Sequence, residues 1–281
     1  MGDRTALSPS ERMPSITPRK LILHAGPHKT GTSSIQAVLR EQDFHAFYYL
    51  KTGQWYDGAH HQLVFSIIPE LRRADGESIE PSELLVRLQE ELANVQQDTL
   101  LISSEFLSQE CLNRVLNWLI DHHIVDRREI RALLVDRDEL SRAASLYNQA
   151  VKDPYIGEIR DPDQWLDEER TTVSMVPIIT RFQEANLMAE VLPYEPADSL
   201  VRRFLLAAGA HEEELPEQTP WTNTSMSEPV LWALLEVNRT ITDPLERMAQ
   251  RTRLLETLQP AFVPSSRQLF TCVREASHGP S

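Results

Sequence analysis

KLILHAGPHKTGTSSIQAVL, Lys20 to Leu39, decides the fold. Leu21 to Ala25 is a short apolar run that reads as a buried strand. Thr30 to Arg40 reads as a helix, with Ile35, Val38 and Leu39 at helical spacing. Between them lies a loop carrying Gly26, His28, Lys29, Thr30, Gly31, Thr32 and Ser33. A strand that feeds such a loop into a helix makes an anion cradle. The free N–H groups at the helix start point at the ligand, and the helix dipole favours negative charge there. The two glycines allow close backbone approach, Lys29 supplies mobile positive charge, and the hydroxyls add donors. The nucleotide-kinase pattern sets Gly, Lys and Ser/Thr side by side. Here the order is Gly31-Thr32-Ser33, and the lysine stands two residues before that glycine.

Outward from the loop, strand and helix signals alternate. FHAFYYL (Phe44 to Leu50), DTLLISSE (Asp98 to Glu105) and Ile130 to Val135 read as further strands. Lys51 to His61 reads as a loop. Pro81 to Val95, Leu107 to His122 and Glu139 to Val151 read as helices, with Pro81 in a first helical turn. This alternation predicts an α/β fold: a three-layer, P-loop-NTPase-like parallel sheet flanked by helices. Ligands of such sheets sit at the carboxyl ends of the strands, so Lys29, Glu105 and Arg137 are expected to converge. Beyond Lys152 the chain reads as more helical. Gln164 to Asn186 is one long helix bent near Pro177, AEVLPYE is a further strand, and Ser199 to Ala208 is a helix. Pro229 to Asn238 is the last helix read, with Ser227 as its cap.

The chain has 281 residues, 41% of them hydrophobic, which suits one large α/β domain. Residues 1–18 read as a flexible tail and residues 19–281 as a single domain. The formal net charge of −14 argues against nucleic acid or an anionic membrane as partner. A local nest of amides with one lysine still holds phosphate on an acidic protein. Two cysteines, Cys111 and Cys272, make no disulfide framework. With no signal peptide or apolar span read in the sequence, the expected location is cytoplasmic. Cys111 with His122 and His123 lacks zinc-site spacing, so no metal is expected.

HAGPHKTGTSSIQ resembles the 5′-phosphosulfate loop of sulfotransferases that use 3′-phosphoadenosine 5′-phosphosulfate (PAPS), and is most similar to the bacterial branch. A second element is similar too. In LLVDRDELSRAASLYNQAV, Arg137 follows a strand and Ser145 stands eight residues on, with Tyr147 typical of that helix. LISSEFLS, AEVLPYEP and NTSMSEPVLWALLEVNR add weaker similarity, so the resemblance runs from about Lys20 to Arg239.

The resemblance implies transfer of a sulfuryl group from PAPS to a hydroxyl or amine of a small-molecule or carbohydrate acceptor, releasing adenosine 3′,5′-bisphosphate (PAP). It implies that Lys29 stabilises the leaving oxygen. His28, Lys29, Thr30, Gly31, Thr32 and Ser33 would shape and hold the 5′ end, and Arg137 and Ser145 the 3′-phosphate. A hydroxyl acceptor wants a general base. Glu105 is the first candidate and His60 and His61 the second, with Asp57 after them. Trp55, Tyr56 and Trp165 are aromatic candidates for an acceptor pocket. A nucleotide-dependent kinase and an inactive nucleotide-binding relative remain the alternatives. Acceptor identity and oligomeric state are not legible.

Overall fold

The computed structural model describes residues 18–71, 78–195, 197–218 and 227–258. The expected tail lies outside the described residues apart from Pro18, and so does Cys272. The strands are β1 (Arg19–His24), β2 (Tyr48–Tyr49), β3 (Thr99–Ser103), β4 (Val125–Asp136) and β5 (Met188–Pro193). They form one sheet in the order β2-β3-β1-β4-β5, and every pairing is parallel. The chain is therefore α/β, with helices on both faces of the sheet.

β1 is the central strand, between β3 and β4, and from Leu21 onward it is closed to water, whereas Lys20 is exposed and Arg19 half-buried. Leu21, Ile22 and Leu23 are all buried, as expected for a parallel strand covered on both faces. Side chains alternate across a strand, so Leu21 and Leu23 face one way and Ile22 the other. Leu21 and Leu23 pack with Leu84, Leu116 and Phe182, from α3 (Pro81–Leu92), α4 (Leu112–Asp121) and α7 (Val176–Glu184). α2 (His61–Ile67) adds Leu63 and Phe65 to the same layer. Ile22 packs with Ile35 and Leu39 of α1 (Thr32–Glu41) and Phe204 of α8 (Ala197–Ala208). Each such side chain contributes on the order of 1.5–3 kcal/mol by leaving water. A third cluster joins α5 (Glu139–Lys152), α6 (Pro162–Val173) and α9 (Glu228–Thr240) through Tyr147, Trp165 and Leu231.

Several elements differ from the sequence expectation. The second strand shrinks to Tyr48–Tyr49, because Phe44 and Phe47 stack on each other in the core before the chain reaches the sheet edge. The helix expected at Leu107 is two pieces: a 3-10 turn, Glu105–Ser108, and then α4. The long helix after Gln164 is also two, α6 and α7. Pro177 bends neither, since it sits in the first turn of α7, where its missing N–H costs nothing. β4 begins five residues earlier than Ile130, on a charged segment that apolar content alone does not reveal. Ser227 does occupy the cap position of α9, but through its carbonyl, which accepts from Leu231 N at 3.0 Å, and not through its hydroxyl. A further helix, α10 (Pro244–Leu258), packs on α9 beyond the region of family resemblance. Among the described residues no helix is long and apolar enough to cross a membrane.

Candidate functional site

The carboxyl ends of β1, β3 and β4 meet around the loop from Gly26 to Gly31. The loop's shape is set by local chemistry. Lys29 has φ 69° and Gly31 φ 84°, so two residues close together take the left-handed conformation. Glycine adopts it freely; a lysine does so only where its surroundings fix it. Thr30 is fully buried, and its hydroxyl donates to the Pro27 carbonyl at 2.7 Å, which closes the turn. A Cβ on Gly26 would meet Thr32 Cγ2 at 2.8 Å, so only glycine fits there. Gly31 then caps α1, and its carbonyl accepts from Ser34 N at 3.1 Å. The first N–H groups of a helix have no acceptor within it. Those of Thr32 and Ser33 therefore stand at the loop, and no acidic residue in the first turn opposes an anion.

Two flanks bracket the loop. On the β3 side, Glu105 is 8% exposed and accepts from Thr32 Oγ1 at 2.5 Å. Its other carboxylate oxygen makes no hydrogen bond among the described residues and stands 3.5 Å from His61 Nε2. His61 Nδ1 lies 2.8 Å from Ser104 Oγ, and the ring sits edge-on to Trp55 and Phe106. Burial alone would raise the Glu105 carboxyl. The nearby His61 ring, the Thr32 hydroxyl and His28 outweigh it and hold the group below the usual carboxylate range. Glu105 is thus an ionised, walled-in carboxylate that touches the helix behind the loop.

On the β4 side, Arg137 Nη1 donates to the Lys29 carbonyl at 2.9 Å, and the guanidinium stacks on Tyr194 at 4.7 Å. Tyr194 is held there because its N–H donates to Asp136 O at 2.7 Å, just beyond the end of β5. Arg137 Nε is buried without a hydrogen-bond partner among the described residues. The Lys29 ammonium is pushed down to about 8, first by burial and then by the nearby cations Lys152 and Arg137, against the opposing pull of Glu105. Three cations thus concentrate around one loop of an otherwise acidic protein, and a group that neutralises them would relieve their mutual repulsion.

Below the loop runs a buried polar layer. Ser103 Oγ accepts from Gln36 Nε2 at 3.0 Å and lies 2.8 Å from His24 Nδ1. His24 is fully buried, and burial pushes its ring down to about 4, so it is neutral at physiological pH. This layer supports the loop and makes no contact that would mark it as reactive.

The structure brings Lys29, Glu105, His61 and Arg137 together and gives the other expected residues different surroundings. His60 is fully buried. Its Nδ1 accepts from Ser103 N at 3.1 Å and its Nε2 donates to Leu50 O at 2.7 Å. Burial pushes that ring down to about 4, so His60 clamps the ends of β2 and β3 as a neutral ring with both nitrogens engaged. His28 is exposed, edge-on to Phe106, and Ser33 is exposed at the helix start. Ser145 is half-buried on α5. Asp57 accepts from Ala59 N within its own turn at 3.0 Å. Trp165 is 5% exposed and packs against Tyr147, so it belongs to the core and not to a pocket.

Gln36, Lys152 and Tyr194 were not singled out in the sequence. Gln36 stands four residues after Thr32 and Lys152 seven after Ser145, one and two helical turns along the same faces, so helical spacing carried both signals. Tyr194 had none, since only the parallel pairing of β5 with β4 brings it to Arg137. No protein-family model matches the chain, and no curated protein matches it. Among the described residues, no group of three or more His, Cys, Asp or Glu is arranged to hold a metal.

Proposed function

We propose that this chain is a PAPS-dependent sulfotransferase, moving a sulfuryl group to a hydroxyl or amine of a small-molecule or carbohydrate acceptor. One observation carries the reading: the lysine that precedes the loop's second glycine shares a cation cluster with Arg137, which reaches across from the end of the next parallel strand. A five-stranded all-parallel sheet flanked by helices, with a strand–loop–helix unit at its central strand, supports this reading.

The donor's fit rests on unmet groups. The helix-start N–H groups of Thr32 and Ser33 with Lys29 would hold the 5′ end, and Arg137, with Nε unsatisfied, and Ser145 the 3′-phosphate. An arginine grips a phosphate through two parallel N–H bonds, so one nitrogen committed to the loop carbonyl leaves others for a ligand. When bound, the donor supplies an SO₃ group whose bond to the phosphate oxygen breaks as a bond to the acceptor oxygen or nitrogen forms. Lys29 stabilises the negative charge that collects on the departing phosphate, the kind of positioned electrostatic help that dominates related phosphoryl transfers. Glu105 is the base that takes the acceptor's proton; its Oε2, buried and 3.5 Å from His61 Nε2, makes no hydrogen bond among the described residues, and Thr32 Oγ1 anchors its other oxygen. Glu105 is ionised at neutral pH and so can accept a proton, as a weaker base than a carboxylate tuned toward neutrality.

The test is an acceptor screen with PAPS, read as a product mass gain of one SO₃ together with formation of PAP. Sulfated product from at least one acceptor class, lost in Lys29→Ala, is the expected result. PAPS left intact, or consumed equally by Lys29→Ala, would sink the assignment.

A further inference from the structure

A cavity of about 600 Å³ opens beside the loop. Its walls include Pro27 and His28 of the loop, Ser108 of the turn that begins at Glu105, Arg142 and Leu146 of α5, Thr172 of α6 and Arg181 of α7. That volume matches a ligand of sugar or small-metabolite size. The charged and titratable groups along it are His28, Glu110, Cys111, Arg142 and Arg181, with Glu110 exposed and Cys111 buried.

Arg142 is the unusual member. It is 1% exposed, the largest fully buried side chain among the described residues. Its Nη2 donates to Thr172 O at 3.3 Å, while Nε and Nη1 have no hydrogen-bond partner among the described residues. No carboxylate among them lies within ion-pair distance. Arg160 shows what a satisfied arginine looks like in this protein, with salt bridges to Glu158, Glu168 and Glu169. Asp136 and Glu139 act on Arg142 only from beyond ion-pair distance; a buried guanidinium with no carboxylate in contact is costly, and its forked donors match a carboxylate or sulfate. Arg181, which also lines the cavity, donates to the Ser108 carbonyl and adds a second positive charge.

We propose that this cavity is the acceptor site and that the acceptor is itself an acid: a small hydroxyl compound carrying one carboxylate or sulfate group that sits against Arg142 and Arg181. The acceptor role rests on the sulfuryl-transfer reading above, whereas the preference for an anion rests on the cavity alone. An acceptor anchored there would lie between the loop that carries Lys29 and the turn that carries Glu105.

Calorimetry on the full chain without nucleotide tests the preference, using D-glucuronate, D-glucose 6-sulfate and D-glucose as probes. At least one of the two acids is expected to bind ten-fold or more tighter than glucose, and which one does so identifies the anion. Arg142→Gln is expected to remove that preference, Arg142→Lys to keep part of it, and neither to change glucose binding more than about two-fold. Arg181→Gln is expected to lower the preference several-fold, and it decides the matter if Arg142→Gln does not fold. Equal binding of acids and glucose, no binding of any probe, or an unchanged preference in the folded variants overturns the proposal. Since this assay needs neither PAPS nor turnover, its failure is distinct from failure of the sulfuryl-transfer reading. An intact acid preference without SO₃ transfer would indict the latter alone.

Discussion

The two flanks of the loop are built on opposite terms. On the β3 side the polar side chains are tied to one another, Glu105 to Thr32, His61 to Ser104 and Ser103 to His24 and Gln36, with Glu105 Oε2 and His24 Nε2 left without a hydrogen bond among the described residues. On the β4 side Arg137 keeps an unsatisfied nitrogen, Arg142 keeps two, and Lys29 is pushed down partly by neighbouring cations. Polar groups satisfied internally are held rigid, which suits a residue that must meet a reacting atom at a fixed place. Cations left short of partners are costly until something anionic arrives, which suits binding. On the proposed sulfuryl-transfer reading the contrast would give chemistry to the β3 flank and grip to the β4 flank, with Lys29 between them serving both.

The largest effect expected is at the shared residue. Lys29→Ala should lower transfer by about 10³-fold or more, with thermal melting showing the fold intact; wild-type turnover would remove Lys29 from the mechanism. Glu105→Gln keeps the shape and removes the base. Its rate should fall on the order of 10²-fold while affinity for PAP holds within about two-fold. A loss of affinity equal to the loss of rate would dissolve the distinction between flanks. Arg137→Ala should do the reverse, weakening PAP binding by roughly 1.5–3 kcal/mol, the scale of one charged hydrogen bond. Unchanged affinity in calorimetry would break the grip assignment.

The pH dependence sharpens the comparison further. Lys29 holds its proton below about 8 in the free protein, so PAP affinity should decline as pH rises through that value, and the decline should vanish in Lys29→Ala. The smallest effect concerns the buried layer. His24 and His60 are pushed down to about 4, whereas an unfolded histidine titrates near 6.5. Between these values the unfolded chain binds protons that the folded one refuses, so stability should fall as pH drops from about 6.5 to about 4. His60→Gln should flatten part of that slope in melting curves, and a slope unchanged by this variant would show that His60 is not the ring responsible.

Much of this frame was legible because it is local. A strand, a Gly-rich loop and a helix in sequence place Lys29 and Thr32, and the strand-end rule brings Glu105 and Arg137 to the same edge. What was not legible depends on partners far along the chain. The sequence offered His60 and His61 as equivalents. The structure separates them: His60 lies between two strand ends with both nitrogens engaged, while His61 turns out to begin a helix and faces Glu105. Trp165 reads in the sequence as a pocket candidate or, as for most aromatics, a packed one, and its contact with Tyr147 decides for packing. Arg142 carries no signal in the sequence, since its burial without an ion-pair partner depends on contacts such as the one to Thr172 of α6, 30 residues on.

The most direct test of the central claim is titration calorimetry of the wild-type chain with PAP in the presence of a chelator, set beside ATP with Mg²⁺. A sulfotransferase site predicts metal-independent PAP binding at micromolar affinity or tighter, and ATP–Mg²⁺ at least ten-fold weaker. Preference for ATP–Mg²⁺, or no PAP binding at all, would contradict it.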